Sequence, residues 1–453
     1  MLSCVVVNVF MATTEPGEDQ VERVYGSEIG KHAGERARLA GWVHNVRALG
    51  KINFLTLRDA SGIVQVVMTR AELAQLDGAL PESVVEVEGT VVAEPQAPGG
   101  FELRDPAITV LTCVSEALPF PINKPDLDMH IDTFLNSATV GLRHPKKQAI
   151  FRLSAGVMAG FRHYLDQHGF VEIASPKIVE SATESGANVF QIDYFGRPAY
   201  LAQSPQFYKQ MMVGVFERVY EVGPVFRAEP HSTVRHVNEY VSLDVEFGFI
   251  RDHFDVMALL TTLIRAMLAH LPEHYARELK LLEVEMPAAP EQFPHIDFPD
   301  ALQLIYERHG EDARQEPDLS PQHERWLGEW ALAERQSDFL FVTGYPMVKR
   351  PFYTHPNPAD PRYANGFDLV FRGMELVTGG QRLHRYEDYL EALRSRGVVD
   401  VKPFEGYLQA FRYGMPPHGG FAIGLERFVM QLMGASNLRE TTLFPRDLNR
   451  LSP

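Results

Sequence analysis

The stretch FRAEPHSTVRHVNEYVSLDVE, residues 226–246, decides the fold of the larger part of this chain. Apolar residues alternate on both sides of a polar centre, which predicts a strand, a loop and a second strand. The residues that bear on its chemistry are Arg227, Glu229, Arg235, His236 and Glu239. A salt-bridged exposed hairpin would explain a single Arg–Glu pair. Two arginines separated by a polar loop also suit a polyphosphate, because guanidinium groups bind phosphate oxygens bidentately, and Tyr240 offers a flat face to a purine.

A second stretch, GGFAIGLERFVMQLM at residues 419–433, joins a glycine-flanked strand to a helical pattern. Glu426 and Arg427 lie at the junction, where the backbone N–H groups that begin a helix favour an anion. Taken alone, this pattern is better explained by an ordinary loop.

A third stretch, FDLVFRGMELVTGGQRLHR at residues 367–385, places Asp368 and Glu375 seven residues apart. An odd spacing along one uninterrupted strand puts two side chains on opposite faces, so we expect a β-bulge at Gly373 to bring these carboxylates together. Paired carboxylates near phosphates are natural ligands for Mg²⁺.

The surrounding sequence predicts two kinds of structure. From residue 37 to about 114, short alternating apolar runs are separated by Gly, Asp and Ser, which is typical of a small antiparallel β-barrel. Prolines between residues 117 and 136 indicate a linker. Beyond it, a helical pattern ends near Gly169, and strand runs are interrupted by helical stretches at 254–284 and 318–337. Strands and helices segregate, which favours an α+β domain with an antiparallel sheet flanked by helices.

The composition is that of a globular protein of 453 residues, 45% of them apolar and 23% charged. No apolar stretch approaches the roughly 20 residues of a membrane span, so we expect no transmembrane helix. The two cysteines exclude a disulfide framework and a cysteine-rich zinc site, and they suit a reducing cytoplasm. A net charge of -16 argues against nucleic-acid binding by overall basicity, although residues 31–70 carry +5 (seven Lys/Arg minus two Asp/Glu).

The three quoted stretches, together with GFVEIASPKI, resemble motifs 1, 2 and 3 of the class II aminoacyl-tRNA synthetases in their usual order. Motif 1 falls at about 169–178, motif 2 at about 223–246 and motif 3 at about 419–433, and the resemblance covers residues 37–453. The class I signatures HIGH and KMSKS and a GxxxxGK phosphate loop are absent. The resemblance implies ATP-dependent activation of an amino acid, transfer to tRNA, and a homodimer formed through motif 1 around Pro176.

The resemblance also sets the expected domains. We expect a disordered leader at 1–18, an OB-fold anticodon-binding domain at 19–115, a linker at 116–140 and a class II catalytic domain at 141–453. The barrel resembles that of the aspartyl, asparaginyl and lysyl enzymes, which bind unstacked anticodon bases. By analogy Phe54 stacks on a base, while Arg47 and Gln65 read base edges or backbone. The alternative, that Phe54 is a core residue, stays open.

Amino-acid selection rests on TESGANVF (183–190), QSPQFYKQ (203–210) and GGQR (379–382), which look like the aspartyl enzymes of the family. The resemblance implies that Lys209 and Arg382 hold the substrate's side-chain carboxylate. Two buried cations facing the neutral amide of asparagine would be uncompensated, which costs about 3 to 5 kcal/mol. The aspartate contacts implied by the family are Glu184, Gln206, Phe207, Tyr208, Lys209, Arg227, Thr378 and Arg382.

The nucleotide contacts follow the same way. The resemblance gives Arg227 and Arg427 as the catalytic residues, with Arg227 on the α-phosphate, and Tyr240 on the adenine. Arg427 joins Arg235 and His236 on the β- and γ-phosphates. The ATP-binding set is Arg227, Ala228, Glu229, Arg235, His236, Val237, Tyr240, Glu375, Gly424, Leu425, Glu426 and Arg427, and the Mg²⁺ ligands are Asp368, Glu375 and Thr378. Thr378 stands where relatives commonly have serine, and Tyr240 where many have phenylalanine.

Three other readings stay open: an asparaginyl enzyme, an asparagine synthetase on the same catalytic fold, and a non-catalytic single-strand-binding paralogue. An asparagine synthetase would have no use for the N-terminal barrel. A non-catalytic paralogue would not need Arg227, Glu375 and Arg427, and all three are present. The chain resembles the compact, archaeal-like form of the aspartyl enzymes, so we expect it to charge both tRNA(Asp) and tRNA(Asn). The loop AEPQAPGG, residues 93–100, is poorly equipped to enforce one anticodon base, because its polar side chains are few and a proline has no N–H to donate.

Overall fold

The computed structural model describes residues 22–76, 78–180, 189–230 and 233–452. The expected leader at 1–18 and the expected aspartate contact Glu184 lie outside these ranges. The chain divides at residue 145 into two compact units.

The first unit contains a closed five-stranded barrel with the strand order β1-β2-β3-β5-β4. Buried and partly buried residues alternate along β4, because side chains of a strand point to its two faces in turn. The inward positions form an aliphatic core around Leu39, Val43, Leu55 and Val87. The elements are β1 (Arg36–Ala48), β2 (Asn53–Arg58), β3 (Ile63–Met68), α1 (Arg70–Leu73), β4 (Val84–Ala93) and β5 (Phe101–Thr112). The predicted OB-fold barrel is confirmed, but it is not wholly antiparallel, because β3 and β5 pair in parallel.

The segment after the barrel is irregular from residue 113 to residue 130. Two short helices follow, α2 (Ile131–Asn136) and α3 (Ala138–Gly141). Buried Phe134 packs under Gly141, where an added Cβ would lie 2.4 Å from the phenylalanine ring.

The second unit is built on an eight-stranded sheet with the order β12-β13-β14-β15-β16-β11-β10-β6. Its inner pairs are antiparallel, and the outermost pairs, β12 with β13 and β10 with β6, are parallel. A small sheet of β7, β9 and β8 accompanies it. The strands are β6 (Val171–Glu172), β7 (Ile178–Val179), β8 (Gln191–Tyr194), β9 (Arg197–Leu201), β10 (Arg218–Phe226), β11 (Glu239–Gly248), β12 (His295–Asp297), β13 (Phe339–Thr343), β14 (Gly366–Phe371), β15 (Met374–Gln381) and β16 (His418–Gly424).

Helices flank the sheet, so the predicted α+β architecture is confirmed. They are α4 (Pro145–Gln167), α5 (Gln206–Phe216), α6 (His253–His274), α7 (Ala276–Leu281), α8 (Phe298–His309), α9 (Pro321–Arg335), α10 (Tyr386–Ser395), α11 (Glu405–Arg412) and α12 (Leu425–Met433). The expectation that no apolar stretch approaches the length of a membrane span was wrong, because helix α6 has the length and apolar character of a membrane-spanning helix. Its residues Val256, Leu260 and Leu263 are wholly buried in the main core with the sheet, as in a core helix.

The third stretch forms a hairpin instead of one strand. Arg372 and Gly373 both have positive φ, 47° and 74°, as in the tight turn that joins two antiparallel strands. The bulge expected at Gly373 was therefore wrong. The register shifts instead between Leu369 and Val370, which leaves Leu376 of β15 without a partner on β14. This bulge puts Glu375 on the same face as Thr378, whereas an odd spacing on a regular strand would separate them.

Candidate active site

A cavity of about 320 Å³ lies over the middle of the large sheet. Residues from all three quoted stretches and from α5 line it, although they are far apart in the chain. The expected site residues in its wall are Gln206, Lys209, Arg227, Glu229, Arg235, His236, Val237, Tyr240, Glu375, Thr378, Arg382, Gly424, Glu426 and Arg427.

Some of the described residues that were expected to contact ATP, aspartate or Mg²⁺ do not line this cavity. These catalytic-domain residues are Phe207, Tyr208, Ala228, Asp368 and Leu425. Phe207 is buried and stacks on Tyr407, with ring centroids 4.3 Å apart. A direct contact between Phe207 and a substrate therefore does not follow from this structure.

One end of the cavity gathers several cationic side chains, and carboxylates partly offset their charge, as Glu229 does 3.5 Å from His236. Arg227 follows β10, and its guanidinium lies 5.6 Å from the ring centroid of Tyr240 on β11. The loop between these strands is closed at its base by Asn238, whose side-chain amide donates to the backbone oxygens of Arg227 (2.7 Å) and Glu229 (3.2 Å). The loop geometry thus brings cationic side chains to one end of the cavity, beside an aromatic ring.

The expected Mg²⁺ ligands are only partly exposed to the cavity. The hydroxyl of Thr378 donates to Oε1 of Glu375 over 3.0 Å, and both residues line the wall. Asp368 lies behind them and accepts two hydrogen bonds from Arg350, at 3.0 and 2.9 Å. Burial raises the pKa of the Asp368 carboxyl although Arg350 opposes the shift, and the charge of Glu375 adds to the rise.

In the described ranges, no group of three or more His, Cys, Asp or Glu side chains is placed to hold a metal ion. Mg²⁺ commonly uses only one or two protein carboxylates and takes its other ligands from water and phosphate. The oxygens of Glu375 and Thr378 fit that requirement at the cavity wall. Asp368 could also bind Mg²⁺ only if its carboxylate oxygens bound the ion while they accept hydrogen bonds from Arg350.

The other end of the cavity holds a buried cluster of four charged groups. Nζ of Lys209 lies 2.9 Å from Asp244 and 3.4 Å from Glu246. Arg382 donates to Glu246 over 3.0 Å and to the backbone oxygen of Gly420 over 2.9 Å. Burial raises the pKa of the Glu246 carboxyl, but Arg382 and Lys209 outweigh this and hold it below its ordinary value.

This cluster corrects one argument from the sequence. Lys209 and Arg382 were expected to be uncompensated unless a substrate carboxylate bound them. Asp244 and Glu246 already compensate both cations in the protein itself. Discrimination between aspartate and asparagine therefore cannot rest on two unpaired cations.

The three expected anticodon contacts lie together on the outer face of the barrel. Phe54 of β2 pairs with Arg47 of β1, whose guanidinium lies 5.2 Å from the ring centroid. Arg47 also donates to Gln65 of β3 over 3.3 Å. Phe54 is only partly buried and does not belong to the barrel core, which removes the alternative reading of this residue.

Comparison with known families agrees with this geometry. The family described as tRNA synthetases class II (D, K and N) matches residues 130–448, and an OB-fold nucleic acid binding domain matches residues 37–111. The chain belongs to the class II tRNA synthetases. The resemblance drawn from the motifs is thus confirmed, and the protein is an aminoacyl-tRNA synthetase with an OB-fold domain.

Individual relatives cover nearly the whole synthetase. It is 46% identical to the aspartate–tRNA(Asp/Asn) ligase of Thermus thermophilus, over 95% of this chain and 100% of the relative. It is 40% identical to the aspartate–tRNA(Asp) ligase of Pyrococcus horikoshii, over 95% of this chain and 99% of the relative. Among solved structures, asparaginyl-tRNA synthetase from Pyrococcus horikoshii complexed with asparaginyl-adenylate superposes with a TM-score of 0.88, at 32% identity, over 96% of this chain and 100% of that one.

The synthetase also contains a buried hydrogen-bond network that the sequence did not reveal. The amide oxygen of Gln210 accepts from Gln206 (3.0 Å) and from the Tyr407 hydroxyl (2.9 Å). Its amide nitrogen lies 3.0 Å from the Tyr389 hydroxyl and 2.9 Å from Nε2 of His418. Because the amide nitrogen can only donate, Nε2 of His418 accepts and its Nδ1–H donates to the Pro416 oxygen. The network fixes Gln206 at the cavity wall.

Glu426 contributes in a way that motif 3 alone does not show. Both its carboxylate oxygens accept from the backbone N–H of Val241, at 3.1 and 3.2 Å. Strand β16 ends at Gly424, opposite Ser242 of β11. The Glu426 carboxylate therefore takes the place of a β16 backbone oxygen as the acceptor for the next residue of β11, Val241. Burial raises the pKa of the Glu426 carboxyl to about 7.

The synthetase places one further acidic residue, Glu324 of α9, behind the basic end of the cavity. Sequence reasoning missed it because its contacts lie 51 and 89 residues away. A signal was present: Glu324 precedes the buried Leu327 and Ala331 by three and seven residues, so one carboxylate sits on the apolar face of the helix.

Proposed function

We propose that this synthetase activates L-aspartate with ATP and transfers it to tRNA. The observation that carries the proposal is the pair of buried cations, Lys209 and Arg382, which line the cavity away from its basic end and are held by Asp244 and Glu246. Their position is suited to the side-chain carboxylate of the amino acid. The names of the relatives from Thermus thermophilus and Pyrococcus horikoshii support the same substrate.

Donor and acceptor chemistry gives a reason for selecting aspartate. Lysine and arginine side chains offer only N–H donors, so they match a carboxylate, which only accepts. An asparagine amide would present its own N–H₂ group to these donors and lose one hydrogen bond. Sites that hydrogen-bond a particular group reject an analogue lacking it by large factors, on the order of 10⁴. Asp244 and Glu246 keep the two cations in place before the substrate arrives.

In the first step, an oxygen of the aspartate α-carboxylate attacks the α-phosphorus of ATP. The bond from that phosphorus to the bridging oxygen breaks, and pyrophosphate leaves with the electron pair. Arg227 holds the α-phosphate oxygens, and Tyr240 supports the adenine. Catalysis comes from positioning and from stabilising the charge that develops on the phosphate oxygens.

The remaining cationic groups hold the leaving pyrophosphate. Arg235, His236 and Arg427 line the same end of the cavity and bind the β- and γ-phosphates. Mg²⁺, when bound, neutralises charge on the phosphate oxygens, and Glu375 with Thr378 would hold it. In the second step, a hydroxyl of the terminal tRNA ribose attacks the aspartyl-adenylate carbonyl and releases AMP.

Pyrophosphate exchange tests the amino-acid assignment against the asparaginyl alternative, which the similarity to an asparaginyl-tRNA synthetase structure keeps in view. We expect ATP–pyrophosphate exchange with L-aspartate and none above background with L-asparagine at equal concentration. Exchange that depends on asparagine instead would assign the chain to the asparaginyl enzymes. Exchange with neither would favour a non-catalytic paralogue.

We further propose that both tRNA(Asp) and tRNA(Asn) are substrates. The two anticodons differ only in the third base, C against U, which present a donor and an acceptor at the same edge. In the loop at 93–100, the N–H groups of Glu94, Ala97 and Gly100 are all hydrogen-bonded within the loop. Gln65 beside it is engaged with Arg47 and Glu102. These contacts leave few donors to distinguish C from U.

Side-by-side aspartylation of the two transcripts tests this second proposal. We expect kcat/KM values within about tenfold of each other. A preference of about a thousandfold for tRNA(Asp), or on the order of 4 kcal/mol in transition-state binding, contradicts dual charging but not aspartate activation.

A cytoplasmic homodimer completes the proposal. The motif 1 segment ends the large sheet at β6, where Val171 is 39% exposed, and Ile178 just beyond is 48% exposed. Apolar side chains at a sheet edge favour burial against a second copy of the chain. Light scattering of the purified enzyme should give the mass of two chains.

A further inference from the structure

Glu324 joins two parts of the ATP end of the cavity that are far apart in sequence. Its Oε2 atom accepts from Nη2 of Arg235 over 3.2 Å and from the backbone N–H of Glu375 over 3.0 Å. Arg235 lies in the loop between β10 and β11, and Glu375 lies at the bulged start of β15. Glu324 is buried and does not itself line the cavity, whereas the two residues it binds do.

The backbone of Glu375 needs such a partner. Strand β15 pairs with β16 only from Val377 onwards, so the peptide groups of Glu375 lie beyond the end of that ladder. Buried backbone groups that leave a ladder must find other partners. Glu324 accepts from the N–H, and Nη1 of Arg427 donates to the C=O over 3.1 Å. The residue expected to hold Mg²⁺ is thus fixed from both sides by charged side chains.

The contact with Arg235 is monodentate. Among the described residues, Nη2 is the only guanidinium nitrogen of Arg235 that donates to a protein acceptor. A guanidinium has five N–H donors in a planar fork, so anchoring one nitrogen leaves the others to bind phosphate. Anchoring also removes part of the rotamer freedom that a long side chain would lose when ATP binds.

We infer that Glu324 is a positioning residue for the triphosphate, which holds Arg235 and the backbone of Glu375 in the geometry that receives ATP. The inference rests on the proposed ATP-dependent activation at this cavity. Glu324 acts through its two neighbours and touches neither the substrate nor the reacting atoms. Its loss weakens ATP binding and leaves the aspartate end of the cavity unaffected.

The test uses the full-length enzyme carrying Glu324→Gln, which keeps the size of the side chain and removes its charge. We expect KM for ATP in aspartate-dependent pyrophosphate exchange to rise about tenfold, equivalent to about 1.4 kcal/mol, with KM for aspartate within about twofold. The Kd of ATP, measured by calorimetry without any amino acid, should rise by the same factor. Glu329→Gln, an exposed position on the same helix, is the matched control and should match the wild type.

A double-mutant cycle separates positioning from general destabilisation. Because Glu324 acts partly through Arg235, Glu324→Gln should weaken ATP binding less in the Arg235→Gln background than in the wild type, and the effect that remains is the part carried by the backbone of Glu375. Additive effects, an unchanged KM for ATP, or an equal rise in KM for aspartate would each overturn the inference. Should Glu324→Gln fail to fold, KM and Kd for ATP are measured on Glu324→Asp instead. This variant keeps the negative charge but shortens the side chain by one methylene, which breaks the contacts with Arg235 and Glu375. The absence of wild-type exchange with aspartate would instead count against the proposed function, while ATP calorimetry would still measure the role of Glu324.

Discussion

Nζ of Lys209 lies 2.9 Å from Oδ1 of Asp244, and each of these side chains is 1% exposed. A buried ion pair of this kind contributes little net stability, but losing one partner is costly because the other charge is left buried. If Lys209 holds the substrate carboxylate as proposed, the pair ties amino-acid selection to folding. The effect of any substitution at this end of the cavity therefore has to be measured on aspartate activation and on stability.

Replacing Lys209 with methionine should strongly reduce aspartate activation and leave ATP binding intact. The proposed charge pair between Lys209 and the substrate carboxylate would be lost, and losing one partner of such a buried pair costs about 2 to 5 kcal/mol. The kcat/KM for aspartate in pyrophosphate exchange should therefore fall at least about thirtyfold. The Kd of ATP from calorimetry should stay within about threefold. Near-normal aspartate-dependent exchange in Lys209→Met would contradict the assignment of aspartate as the substrate.

A second substitution separates the folding cost from the loss of function. Lys209→Met leaves Asp244 uncompensated, so the variant should be less stable than the wild type. Adding Asp244→Asn removes that charge and should recover thermal stability without recovering aspartate activation. Recovery of both together would mean that Lys209 acts only in folding.

Gly420 should tolerate no side chain. An added Cβ would lie 2.0 Å from the Val245 backbone oxygen and 2.3 Å from Oε2 of Glu246, so the β11–β16 pairing and the buried carboxylate cannot both stay in place. We expect Gly420→Ala to cost about 3 kcal/mol of unfolding free energy in urea titration. Gly406→Ala is the control, because an added Cβ there meets nothing within 4 Å and alanine favours the helix. Equal stability of both variants would contradict the observed packing.

The local parts of the site were predictable from the sequence, and the long-range contacts were not. The strand–loop–strand around Arg227 and the strand–helix junction at Arg427 follow from periodicity over about 20 residues, which is set by local backbone geometry. Asp244 appeared only as one polar residue in an alternating strand, because its partner Lys209 is 35 residues away. The Gly373 prediction failed for the same reason: a single strand and a tight hairpin share one apolar pattern until the register is known.

Glu426 should make stability fall with rising pH. Burial raises the pKa of its carboxyl to about 7 in the folded protein, against an ordinary value of 4.5. Between these values the folded state holds a proton that the unfolded state has lost, so the unfolding free energy decreases as pH rises, by up to about 3 kcal/mol. Glu426→Gln should lack this decrease, and its difference from the wild type should be constant above about pH 7.

Urea titrations of the wild type and Glu426→Gln from pH 4.5 to 8 measure that difference. Comparing the two proteins at each pH cancels other titrating groups, such as His418, whose burial lowers its pKa to about 4 and acts in the opposite direction. Glu329→Gln again serves as the exposed control. If the wild type gained stability relative to Glu426→Gln over this range, the raised pKa would be wrong.

Phe54→Ala should weaken tRNA charging and spare aspartate activation. The ring lies on the outer face of the barrel between Arg47 and the β3 strand, and stacking on an unpaired base is worth about 1 to 3 kcal/mol. We therefore expect KM for tRNA to rise about five- to 150-fold. Pyrophosphate exchange without tRNA should be unchanged, since the exchange reaction uses only the catalytic unit.

Leu55→Ala is the informative comparison, because Leu55 is wholly buried in the barrel core and its loss should unfold the barrel at lower temperature. If Phe54→Ala lowered the melting temperature as much as Leu55→Ala, its effect on charging would reflect barrel unfolding instead of a lost contact with the anticodon.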